Sequence, residues 1–111
     1  MGVENRRYTR FKLPVTVELA ANGSMQQCMI EDLGAGGCRL GVTFPLQPGS
    51  FVRVRLRSDR IADEPTGMAT VAWATKQPPY QVGLAFAEDL GAKAVRFIHA
   101  LAGPVRLTTK G

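Results

Sequence analysis

Histidine occurs once in this sequence, at position 99, and cysteine only at positions 28 and 38. Structural zinc sites draw four ligands almost entirely from those residue types, so this set is too small to build one. The only serines are Ser24, Ser50 and Ser58, and none stands in a recognisable nucleophile setting. No P-loop pattern occurs. Asp59, Asp63 and Glu64 crowd one polar stretch, which supplies fewer oxygen ligands than a calcium or magnesium site takes. No paired acid and base can be placed, so the chain does not read as an enzyme. Long apolar runs are missing as well: none approaches the roughly 20 residues of a membrane helix. No basic stretch followed by an apolar core marks a secretory signal. The expectation is a cytoplasmic protein without membrane insertion, whose Cys28 and Cys38 are free thiols.

Acidic residues are the scarcer charge, 9 against 14 lysines and arginines, for a net charge of +5. That surplus suits an anionic partner such as a nucleotide, a nucleic acid or a charged surface. The chain has 111 residues and is 45% hydrophobic, enough for one globular domain and too apolar for wholesale disorder.

Residues 1–10 are polar and basic, with no period, and read as a flexible arm. Alternation then begins: Phe11, Leu13, Val15, Val17 and Leu19 share one face of a strand. Asn22-Gly23 is a hairpin signal, because both residues accept the positive φ of a type I′ turn. A second strand is expected over about Met25 to Glu31. The stretch Asp32-Leu33-Gly34-Ala35-Gly36-Gly37 reads as a tight turn, its glycines free to take positive φ and to bring backbone amides close to a ligand. Cys38, Leu40, Val42 and Phe44 alternate after it. The clearest strand has Val52, Val54 and Leu56 on one face and Arg53, Arg55 and Arg57 on the other. Met68 to Ala74 and Tyr80 to Ala87 complete the strands. The period then lengthens: Leu90, Ala94, Phe97, Ile98 and Leu101 make one helical stripe, ended by Gly103-Pro104. Six short antiparallel strands followed by one amphipathic helix predict an all-β barrel or sandwich with the helix laid against it.

Binding chemistry concentrates at two places. Arg6 and Arg10 stand in the arm, and a guanidinium fork fits phosphate oxygens or the O6/N7 edge of guanine. Asp32 can accept from guanine N1–H and N2–H. His99, inside the helical stripe, reads as structural. The stripe Arg53, Arg55 and Arg57 lacks the interleaved aromatics that single-stranded nucleic acids stack on. It reads as a solvated face paired with acidic neighbours, and nucleic acid is not the expected partner.

With these residues in view, the sequence resembles the PilZ domain family. Arg6 and Arg10 match the family's Arg-x-x-x-Arg motif. Asp32-Leu33-Gly34-Ala35-Gly36-Gly37 matches its Asp/Asn-x-Ser-x-x-Gly motif, and Tyr80-Gln81-Val82-Gly83-Leu84-Ala85-Phe86 is similar to its last barrel strand. The resemblance implies a six-stranded antiparallel β-barrel over residues 11–103, with one C-terminal helix packed on it and a tail at 104–111. It also implies a stand-alone receptor for the second messenger cyclic di-GMP, with no cofactor. Arg6 and Arg10 would contact phosphate and guanine, with Arg7 as a further phosphate contact; Asp32 would take the guanine donor edge, and Gly37 would shape the turn. Gly34 departs from the pattern, since the family usually has serine there. The loss of one neutral hydrogen bond weakens binding about 2- to 12-fold, provided the Gly34 amide faces the ligand. Ligand binding would order the arm for a downstream protein partner whose identity the sequence does not carry. The alternative is a degenerate member that no longer binds the nucleotide and acts through protein contacts.

Overall fold

The computed structural model describes residues 14–102; residues 1–13 and 103–111 lie outside the described part. The arm, its three arginines, Phe11, Leu13 and the Gly103-Pro104 stop therefore fall outside it. The elements are β1 (Thr16–Ala21), β2 (Ser24–Leu33), β3 (Gly37–Val42), β4 (Phe51–Arg57), β5 (Thr66–Ala74), β6 (Tyr80–Phe86) and α1 (Glu88–Ala102). The strands close into a barrel in the order β1-β2-β3-β6-β5-β4, with every pairing antiparallel.

Closure follows from the alternation. Val15, Val17 and Leu19 point inward with Cys28, Ile30, Leu40, Val52, Val54, Leu56, Val71, Val82 and Leu84, all buried. Antiparallel strands that hide one face and wet the other are the arrangement such alternation specifies. The β1–β2 hairpin turns on Asn22 and Gly23, both at positive φ, as a two-residue loop demands. One end of the barrel is covered by α1. Its Leu90, Ala94, Phe97 and Ile98 are buried, and Glu88 and Asp89 place negative charge at its N-terminal end. A β-carbon at Gly67 on β5 would stand 2.8 Å from Leu90 Cβ, so the helix seats where that strand has no side chain. His99 is exposed.

Two expectations shift. The turn after β2 is shorter than the glycine content suggests: Asp32 and Leu33 are paired with Arg39 and Cys38, and only Gly34–Gly36 lie outside the strands. Burial of Leu33 holds that extra pair in the sheet. Of the glycines in the described residues, Gly23 and Gly49 have positive φ, and none of Gly34, Gly36 or Gly37 does. Trp73 stays 43% exposed, because a bulge between Val71 and Trp73 turns its indole outward across Gly83.

Both thiols are free and buried. Burial pushes Cys28 from 9.0 up to about 11. Cys38 is pushed further up, by burial first and then by the neighbouring Cys28 and Asp32 charges. Folding thus favours the protonated thiols. Their contribution to stability is full below pH 9 and is lost as pH climbs toward the folded value of Cys28 near 11. Neither cysteine is expected to react with iodoacetamide at pH 8 in the folded protein, and both are expected to react in guanidinium chloride. Mass spectrometry checks this; native-state labelling as fast as the unfolded control would contradict it.

Candidate functional site

The site is built where β1 begins and β2 ends. Thr16, the first residue of β1, pairs with Met29 on β2, and three residues later β2 reaches Asp32. The chain preceding Thr16 therefore enters the barrel at the rim that carries Asp32. A cleft of about 360 Å3 opens beside this entry, between Thr16, Met29, Arg57 and Asp59.

Asp32 sits at a bulge. Ile30 pairs with Leu40 and Asp32 with Arg39, so Glu31 is the extra residue on β2. Two successive carboxylates consequently stand opposite one arginine. Glu31 is the one that Arg39 holds, at 3.3 Å from Nε. The amide of Gln81 on β6 donates to both Glu31 oxygens at 3.1 and 3.3 Å. Glu31 reaches Gln81 by crossing β3 above Gly41, where a β-carbon would stand 3.4 Å from the carboxylate.

The turn after Asp32 is closed on itself and fixed from behind. Gly34 N–H donates to the Gly37 carbonyl at 2.9 Å. That amide is engaged within the turn, which bears on the condition that it face a ligand. Phe86 N–H donates to the Gly36 carbonyl at 2.9 Å, and the Ala35 carbonyl would stand 3.0 Å from a β-carbon at Gly91 on α1. Gly37 is a glycine because of β6, not because of φ: a β-carbon there would collide with the Leu84 carbonyl. Asp32, Gly34 and Gly37 thus lie at one rim. Arg6, Arg7 and Arg10 lie outside the described residues.

Two arginines of the stripe on β4, Arg55 and Arg57, are paired with Glu18 on β1 and with Glu64. Arg57 Nη1 donates to Glu18 at 2.8 Å and its Nε to Glu64 at 3.2 Å. Arg55 lies 3.6 Å from Glu18 and 3.4 Å from Glu64. The hydrogen bond it donates to Glu18, then that to Glu64, raises the Arg57 guanidinium above its usual range. Exposed pairs of this kind add little stability. They do cancel most of the charge that a phosphate backbone would read. Among the described residues no group of three or more His, Cys, Asp or Glu could hold a metal ion.

A closed six-stranded barrel with a helix over one end, and an Asp-x-Gly-x-x-Gly turn at the rim where the chain enters, is now in place. Residues 4–102 match the family described as PilZ domain. The chain belongs to the PilZ domain family. Among curated proteins no sequence matches. Among solved structures, the PilZ domain of CeSA from a cellulose-synthesizing bacterium is 20% identical with a TM-score of 0.62, over 86% of this chain and 99% of that one. YcgR from Escherichia coli, solved in complex with c-di-GMP, is 17% identical with a TM-score of 0.66, over 92% of this chain and 48% of that one. PlzA from Borreliella burgdorferi, also in complex with c-di-GMP, is 19% identical with a TM-score of 0.60, over 89% of this chain and 42% of that one. This PilZ domain therefore spans less than half the length of those two proteins. At such identities the likeness is one of fold, and it agrees with the six-stranded barrel and C-terminal helix. In this PilZ domain, alternation on β3 already turned Arg39 outward, yet its pairing with Glu31 was missed, because a bulge leaves no mark in an apolar pattern.

Proposed function

We propose that this domain binds cyclic di-GMP, with Arg6, Arg7 and Arg10 on the entering segment and Asp32, Gly34 and Gly37 at the rim. The observation that carries the reading is the pairing of Thr16 with Met29, which starts β1 beside the end of β2. Arg10 is six residues before Thr16, a reach of roughly 20 Å when extended. Asp32 is three residues past Met29, roughly 10 Å along the strand. The arginines can therefore meet a ligand whose guanine edge rests on Asp32. Membership of the family, and the c-di-GMP held by YcgR and PlzA, support the same ligand. Ordering the arm costs about 1–2 kcal/mol per backbone residue fixed, so ligand and arm would order together and change the surface offered to a partner protein.

Calorimetric titration with cyclic di-GMP tests the reading. Saturable heat at micromolar ligand supports it. A flat titration with no change in melting temperature favours the second reading, a PilZ domain acting through protein contacts alone. The observation behind that second reading is Gly34: it lacks the family's hydroxyl, and its amide is engaged by Gly37.

The same position offers a gain. A β-carbon at Gly34 would find only the Gly37 carbonyl, at 4.0 Å, and its φ is not positive. Gly34→Ser is therefore expected to fold normally and to tighten cyclic di-GMP binding about 2- to 12-fold, one neutral hydrogen bond. Unchanged or weaker binding in the same titration would contradict it.

A further inference from the structure

We infer that Arg39, which lies in neither family motif, is a further ligand contact that reads the O6/N7 edge of the guanine held by Asp32. The inference rests on the binding reading above. Asp32 and Arg39 are direct partners across β2 and β3, so their Cα atoms stand about 5 Å apart. The bulge at Glu31 sets two successive carboxylates, Glu31 and Asp32, opposite Arg39. Glu31, anchored by Gln81 across Gly41, takes the inner edge of the Arg39 guanidinium. Asp32 is the carboxylate next along β2 on that same rim.

Arg39 is shaped for such a contact. Its Nε is buried and, although 3.3 Å from Glu31, makes no hydrogen bond of good geometry there. Its side chain is nevertheless 42% exposed. Among the described residues neither terminal nitrogen of Arg39 donates a hydrogen bond. A planar fork pinned along one side loses little freedom when the other side binds. Guanine offers two donors on its Watson–Crick edge and two acceptors, O6 and N7, on the adjoining edge. An acceptor and a forked donor on directly paired residues of neighbouring strands fit those two edges in one plane. Adenine reverses the pattern: it puts an amino donor where guanine has O6, opposite the arginine, so the pair also selects the base.

The test uses cyclic di-GMP and its analogue in which carbon replaces N7 of both guanines. Wild type, Arg39→Ala and Arg39→Lys are titrated with each, and melting temperatures are compared. For cyclic di-GMP, Arg39→Ala is expected to weaken binding about tenfold or more, and Arg39→Lys to restore only part of it, because an ammonium has no fork. For the analogue, Arg39→Ala is expected to cost much less, since N7, one of the two acceptors of the fork, is already gone. Equal losses with both ligands, or cyclic di-GMP binding as tight as wild type, would overturn the inference while leaving the function standing. A wild type that binds neither ligand would overturn both.

Discussion

Asp32→Ala is expected to weaken cyclic di-GMP binding about 10- to 150-fold while leaving the barrel folded. The range follows from hydrogen bonds to a charged group, about 1.5–3 kcal/mol. Two guanine donors would lose their acceptor together, and a base edge left unpaired against a protein wall keeps its full desolvation cost. Arg10→Ala is expected to fall in the same range, because a bidentate guanidinium contact is also charge-assisted. Micromolar affinity amounts to about −8.2 kcal/mol, so either change would leave a dissociation constant of roughly 10–150 micromolar. Asp32 is only half-buried at the end of β2, and its backbone pairing with Arg39 does not depend on its carboxylate. Thermal melts should still show a folded, cooperative domain. Calorimetry beside the melts checks both expectations, and binding within twofold of wild type for either variant would count against the assigned role.

The second large effect is on stability. Phe97→Ala is expected to destabilise the domain by about 3–5 kcal/mol, as for a large aromatic removed from a packed core. Phe97 is 2% exposed, among the largest of the fully buried side chains, and sits in the stripe that fixes α1 to the barrel end. A domain of this size has about 5–15 kcal/mol in total, so the variant would be near the edge of folding. The melting temperature should drop by on the order of 15 °C or more. Because α1 also backs the ligand turn through Ala35 and Gly91, the loss reaches the site. Denaturant titration followed by circular dichroism measures it, and a cost below about 1 kcal/mol would mean that the helix does not depend on this contact.

Much of the fold was readable because each element carries its own period. From Val52 to Arg57 β4 alternates apolar and arginine residues without a break, and Val52, Val54 and Leu56 are all buried, whereas Phe51 at its start is exposed. The stripe on α1 and the Asn22-Gly23 turn were equally plain. What escaped were features set by contacts between distant strands. Gly37 looked like a turn residue needing positive φ, but its constraint is the Leu84 carbonyl on β6, far away in sequence. Glu31 looked like one more polar strand residue, but the bulge sets it against Arg39 and Gln81. Trp73 lies outside the core because a bulge turns it outward, which no local pattern shows. The Asp32 turn was legible as a motif, and its depth in the sheet was not, because Leu33 is held by burial that no local pattern announces.

The central claim is that the arm arginines and the Asp32 carboxylate meet on a single nucleotide at the barrel rim. A crystal structure of the domain with cyclic di-GMP tests it most directly. The account predicts a guanine whose N1–H and N2–H point at Asp32, with Arg10 against the same ligand molecule. A bound nucleotide seated elsewhere on the barrel, or one that Arg10 and Asp32 approach separately from opposite faces, would contradict it.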